Sequence, residues 1–517
     1  MEAGNDLLTG QNPTPKARQT PTGSIPPRLL YALYALALAV SISIWFLAIH
    51  ANLWLDETGS YWVISRGFAK IWREQYISLG FPAYFYVLWL CSKILGTTPV
   101  ALRIPSVVAM LAAAALLYLG ARELFKRDVA IIAVVVFSLH RLIIAESVEI
   151  RPYAFATLAT TLAIYLLLRL RRSNSSALAA LFGLSAALIV YFHYLFAAIL
   201  PAFVICFFVL KKGNRKALWR QFTIALAVFT AAFLPLIPSL RYLFRTSASH
   251  VYEAAPKFSD LFWTLASGWL SVAFIGAVFL ALLIAAARPK QAAAPRPFET
   301  EKLLICASLG LIPILILYGI SAATSIHMFA GRHRVVAIPG IALCWAFLVS
   351  RLRPSIVRLA FCVALVAMTA FECYRAPAFR QPGDSWKGAL ALAEKEASTD
   401  NAPVLVCSHF VESNYVPMPL YAAKQSRYFA QLSYYKLTVP VVPLPQSLNS
   451  QAMQIGSQFL QHAAQNHERF FALGDPPSYQ TLDWLAQHAS QNYSVRDLGI
   501  LGQTRVLEFT PRPASSS

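Results

Sequence analysis

Asp56 and Glu57 are the first charges after 27 residues, Leu29 to Leu55, that contain no Asp, Glu, Lys or Arg. A run of about 20 apolar residues crosses a bilayer. Two adjacent carboxylates therefore stand where the chain surfaces, at the depth where a lipid-borne substrate presents its polar head. A carboxylate there suits proton abstraction, or oxygen ligation of a divalent cation. Two later stretches gather polar residues of similar promise: Glu149-Ile150-Arg151-Pro152-Tyr153 and His327 to Arg334, which includes Arg332 and His333. Ionisable groups near a bilayer core are costly and so are functional candidates, although loops just outside it carry charge cheaply.

The elements that position these residues follow from composition and charge. The chain is 57% hydrophobic and 13% charged over 517 residues, which excludes an ordinary soluble globule and indicates a polytopic membrane protein. The net charge of +20 sits in short basic clusters between apolar segments, as the positive-inside rule and contact with anionic membrane lipid require. No basic stripe with interleaved aromatics indicates nucleic acid. Residues 1–28, rich in proline, read as a disordered cytosolic tail.

Lys16, Arg18 and Arg28 place the start of the first helix in the cytosol, and Arg122, Lys126 and Arg127 mark the next cytosolic turn. Between them lie two apolar stretches, Pro82 to Leu95 and Val100 to Ala121, yet an odd number of crossings is needed. The shorter stretch is assigned to a juxtamembrane helix in the first outer loop. Val129 to Ile144 then runs outward, Ala177 to Leu210 forms a hairpin turning at Tyr191 to Tyr194, and a helix starting near Lys216 ends near Pro235. Arg241, Arg245, His250 and Glu253 fall in an outer loop, a helix centred near Phe274 returns, and Arg288 to Lys302 is a cytosolic linker. Leu303 to Ile320, Val335 to Val349 and Leu359 to Cys373 complete about eleven spans. Residues 29–373 thus form the transmembrane domain. Residues 374–517 alternate amphipathic and β-like runs and read as a small extracytoplasmic α/β domain.

This topology brings Asp56, Glu57, Glu149, Arg151, Tyr153, His193, Tyr194, His327, Arg332 and His333 to the outer face. The cysteines show no metal-ligand spacing. Cys373 and Cys407 flank the start of the soluble part, where a disulfide would require suitable geometry.

Trp54-Leu55-Asp56-Glu57, Phe81-Pro82-Ala83-Tyr84-Phe85-Tyr86, Ala101-Leu102-Arg103-Ile104-Pro105-Ser106, Glu149-x-Arg151-Pro152-Tyr153 and Arg332 to Gly340 occur in this order. In that order they resemble the C-type superfamily of integral-membrane glycosyltransferases over roughly residues 29–373. The likeness is strongest to the bacterial branch similar to protein O-mannosyltransferases, lipid A aminoarabinose transferases and rhizobial lipopolysaccharide glycosyltransferases. One departure is Phe81, where the family often has His or Lys before the proline.

The resemblance implies an inverting transfer of a sugar from a polyprenyl-phosphate donor to a cell-envelope glycan, lipid or protein. The reaction would take place on the outer side of a bacterial cytoplasmic membrane. It implies Asp56 as general base, with Glu57 orienting it, binding acceptor or helping to hold a divalent metal. Arg151 and Arg332 would take the leaving phosphate, whose planar recognition suits guanidinium. Glu149 would orient Arg151, and Tyr153 and His333 complete the donor set. Trp54, Tyr84, His193, Tyr194 and His327 are candidate acceptor or sugar contacts. Simpler roles stand beside these: a helix terminus for Asp56-Glu57, a surface ion pair for Glu149 and Arg151, snorkelling cations at Arg332 and Arg334. A transporter or flippase of lipid-linked sugars is the alternative class; it predicts charges along a path through the membrane.

Overall fold

The computed structural model describes residues 26–78, 82–210, 215–245, 254–265, 268, 276, 297–352, 355–381, 386–418 and 423–513. Phe81, most of the N-terminal tail, His250, Glu253 and the helix expected near Phe274 lie outside the described residues.

Among the described residues, seven helices are long and apolar enough to cross a membrane: Pro27–Ala48, Pro99–Leu124, Tyr153–Leu170, Arg215–Arg245, Thr300–Ala323, Gly331–Val349 and Ile356–Arg375. Shorter apolar helices, Arg127–Leu139, Ser176–Phe192 and Tyr194–Val209, pack among them. Between the first two spans the chain folds into three short helices, Leu55–Ser65, Phe68–Ser78 and Pro82–Leu95. The last has 14 residues, below crossing length. Thr98 caps the next span, its hydroxyl accepting from the Ala101 amide at 3.3 Å, and Pro99 takes the first-turn place where no amide hydrogen is needed.

Three boundaries differ from the sequence expectation. Val129 to Ile144 is broken at His140, whose extended backbone ends one helix and whose ring accepts from the Leu142 amide to cap Arg141–Glu146. Arg241 and Arg245 lie on a helix, because Pro235 and Pro238 occupy first-turn positions and let it continue. The helix expected from Leu303 begins at Pro297, so Thr300 and Lys302 are helical.

The C-terminal part is a five-stranded sheet: β1 Val404–Cys407, β2 Val441–Leu444, β3 Phe470–Gly474, β4 Tyr493–Leu501 and β5 Thr504–Pro511. The order is β2-β1-β3-β5-β4. β1 is parallel to both β2 and β3, with Leu405 opposite Val442 and Ala472; β5 joins antiparallel to β3 and β4. β1 is buried at every residue, as a central parallel strand covered on both faces must be. Cys407 belongs to this core and Cys373 to the helical bundle; both are free thiols, so the disulfide considered between them is not formed.

The sheet domain sits on the loop side of the helix that carries Asp56. Tyr435 Oη donates to the Leu53 carbonyl at 3.0 Å, and Trp62 Nε1 to the Gln425 carbonyl at 3.0 Å. Gln381 bonds both the amide and the carbonyl of Asn52.

Candidate active site

The site is built on a buried ion pair. Arg103 lies in an otherwise apolar stretch, where an unpaired guanidinium would be prohibitively costly. Its Nε and Nη2 donate to Glu57 Oε1 and Oε2 at 3.1 and 2.6 Å, and its remaining donors reach the carbonyls of Ile49, Ala51 and Asn52. Arg103 thereby satisfies the backbone where the first span ends. Glu57 also accepts from the amides of Trp54 at 3.3 Å and Ile150 at 3.1 Å. With Ser106 Oγ donating to the Glu149 carbonyl at 2.6 Å, this pins the second loop against the first. Glu57 is fully buried, with both carboxylate oxygens engaged in these bonds.

The preceding residue, Asp56, faces the opposite way. Arg332 Nη1 stands 2.7 Å from Asp56 Oδ2 and Arg151 Nη2 3.7 Å from the same oxygen. All three side chains keep partial access, 18% for Asp56, 21% for Arg332 and 14% for Arg151, to one cavity of about 320 Å³. Burial pushes the Asp56 carboxyl up, but the Arg151 and Arg332 guanidiniums outweigh it and hold it below the usual carboxylate range.

Arg151 thus pairs with Asp56, and the expected Glu149–Arg151 pair is not found among the described residues. Glu149 instead shares a hydrogen bond with Glu146, and both are buried. Burial pushes Glu146 up to about 7 and Glu149 well above the usual range, since two adjacent buried carboxylates cannot both ionise. Behind the arginines, Tyr153 lies 5.0 Å from the His193 ring, which lies 5.4 Å from His333; Arg151 stands over Tyr153 at 5.9 Å. All three rings are buried. His333 Nδ1 bonds the Met328 carbonyl and His327 Nδ1 the Ser321 carbonyl, each at 2.9 Å, which ties down the loop carrying Arg332. Trp54 lines the cavity; Tyr84, Tyr194 and His327 do not, and Tyr84 is buried against Phe85 and Phe155. Among the described residues no three acidic, His or Cys side chains are grouped to hold a metal. Asp56 and Glu57 are paired with different arginines, Arg332 and Arg103.

The other wall belongs to the sheet domain: His409, Phe410, Val411, Glu412, Arg427, Tyr428 and Gln446. None was a candidate from sequence, because only the fold brings residue 409 to residue 56. Arg103 and Glu146 were also passed over. A lone arginine among apolar residues and a carboxylate three positions before Glu149 were the signals available.

Residues 80–242 match the family model of dolichyl-phosphate-mannose-protein mannosyltransferases. No curated protein matches the sequence. In fold, the chain is similar to ArnT from Cupriavidus metallidurans in the apo state, with TM-score 0.56 and 13% identity, covering 93% of this chain and 98% of that one. It is also similar to ArnT from the same organism bound to undecaprenyl phosphate, with TM-score 0.51 and 13% identity, covering 94% and 98%. The family match covers about a third of the chain, and the likeness to the two solved structures, which spans nearly all of it, shows a shared fold.

Proposed function

We propose that the protein transfers a sugar from a polyprenyl-phosphate-linked donor to a hydroxyl of a cell-envelope glycan, lipid or protein, at the outer face of a bacterial cytoplasmic membrane. The observation that carries this reading is one carboxylate, Asp56, held between two guanidiniums at the floor of a cavity roofed by the sheet domain. Undecaprenyl phosphate in the similar ArnT structure supports the donor class.

The chemistry follows from charge. The acceptor oxygen attacks the anomeric carbon, the bond from that carbon to the phosphate oxygen breaks, and the electron pair leaves on the phosphate. Asp56 takes the hydroxyl proton, and inversion results from the single displacement. Arg151 and Arg332 face the developing phosphate charge. Arg151 and Arg332 both line the cavity and keep partial exposure, so an anion entering it meets two guanidiniums. A phosphate arriving there draws both guanidiniums from Asp56. That releases the pull holding its pKa down and makes it a stronger base once donor is bound.

The test is transfer by purified protein, with a panel of polyprenyl-phosphate sugars and envelope acceptors, comparing wild type with Asp56→Asn. The expected loss is about 10²- to 10⁴-fold, the usual range for a general base. Equal rates would remove Asp56 from the mechanism.

A further inference from the structure

The sheet domain buries a polar network that its own core does not require. Asp475, 1% exposed, accepts from Trp386 Nε1 at 3.0 Å, from Thr504 Oγ1 at 2.8 Å and from His409 Nδ1. A carboxylate taken out of water is costly even when paired, and apolar residues of similar size often serve a core as well. What the network achieves is to fix one ring. A carboxylate that receives donors from Trp386 and Thr504 acts as acceptor toward the imidazole, so the hydrogen is on Nδ1. The nitrogen left for the cavity that His409 lines is Nε2, an acceptor in the neutral ring.

The placement has a topological cause. His409 follows the end of β1, Gln446 the end of β2 and Asp475 the end of β3, the three parallel neighbours. Gln446 Nε2 also donates to the His409 carbonyl at 2.6 Å. Ligands of α/β sheets bind beyond the carboxyl ends of parallel strands, and here that edge is turned toward Asp56.

We propose that His409, held by Asp475, is a further catalytic residue that contacts the acceptor: its Nε2 accepts a hydrogen bond from a hydroxyl beside the attacking one and so orients the attacking oxygen on the anomeric carbon. This rests on the glycosyl-transfer reading of the same cavity, in which the attacking hydroxyl's own proton passes to Asp56. The titratable and charged groups around the ring are Asp475 behind it, Asp56, Arg151 and Arg332 from the helical part, and Glu412, Arg427 and Tyr428 beside it. Burial holds the ring's pKa below its ordinary value against the attraction of Asp56, which favours the neutral, accepting form.

The experiment uses the full-length protein with the donor and acceptor panel, and measures undecaprenyl phosphate binding separately. His409→Ala and Asp475→Asn are expected to bind undecaprenyl phosphate like wild type while kcat/KM for the acceptor falls about 10²-fold. His409→Gln, whose amide oxygen accepts a hydrogen bond but does not titrate, is expected to recover part of that activity and to lose the acid-side limb contributed by the ring. Wild-type acceptor kcat/KM in His409→Ala would overturn the inference. So would a loss of undecaprenyl phosphate binding that matches the loss of transfer, since that is a structural effect. A wild type that neither binds undecaprenyl phosphate nor transfers from any donor would instead overturn the glycosyl-transfer reading, and this inference with it.

Discussion

At the scale of single residues, Asp56 has two competing interactions: burial favours its protonated form and two guanidiniums favour its anion. The arginines prevail, so the basic form persists to lower pH than in an ordinary carboxylate. Arg332→Ala removes the 2.7 Å partner. The pKa of Asp56 then rises, and the acid limb of kcat/KM is expected to move to higher pH; an unmoved limb would show that Arg332 does not act on this carboxylate. Asp56, Arg151 and Arg332 were legible in the sequence because charge at the end of an apolar run is conspicuous. For Glu57 the sequence left three roles open, orienting Asp56, binding acceptor or helping to hold a metal, and the fold pairs it with Arg103. Successive residues at the start of a helix point different ways, and its partner Arg103 is distant in sequence, so adjacency to Asp56 did not reveal this pairing.

At the scale of elements, the Glu57–Arg103 pair and the close approach of two helices hold the site in register. Glu57→Gln leaves the Arg103 charge buried and uncompensated, at a cost of roughly 3–5 kcal/mol. The melting temperature of the detergent-solubilised protein is expected to drop clearly, and to drop less when both residues become leucine. Gly340 meets the neighbouring helix so closely that a Cβ there would lie 2.2 Å from the Leu309 carbonyl carbon. Because the obstacle is backbone, Gly340→Ala must separate the helices, with a loss of about 1–3 kcal/mol. Thermal denaturation near the wild-type temperature would show that this contact yields without cost. The long apolar helices and Val404–Cys407 were readable from length and hydropathy. The break at His140 and the continuation through Pro235 and Pro238 were not, since capping and proline tolerance depend on local backbone geometry rather than on apolar periodicity.

At the scale of the whole molecule, the loops bearing Asp56, Arg151 and Arg332 meet the sheet domain at one end of the bundle. From the positive-inside pattern of the loops we propose that this end lies on the outer side of the membrane. A cysteine introduced at exposed Tyr415 is expected to react with a membrane-impermeant maleimide on intact cells; labelling only after lysis would reverse the orientation. The sequence showed that a soluble α/β part follows the spans. It did not show that this part closes the site, because His409 and Asp475 are 66 positions apart and unremarkable singly. The central claim is that the guanidiniums restraining Asp56 are those that hold the donor's phosphate. Undecaprenyl phosphate binding to wild type, Asp56→Asn, Arg151→Ala and Arg332→Ala tests it directly. Loss of one charge-assisted contact should weaken binding by about tenfold or more in each arginine variant, while Asp56→Asn, which removes the competing anion, binds at least as tightly as wild type. Arginine variants that bind like wild type would contradict the account.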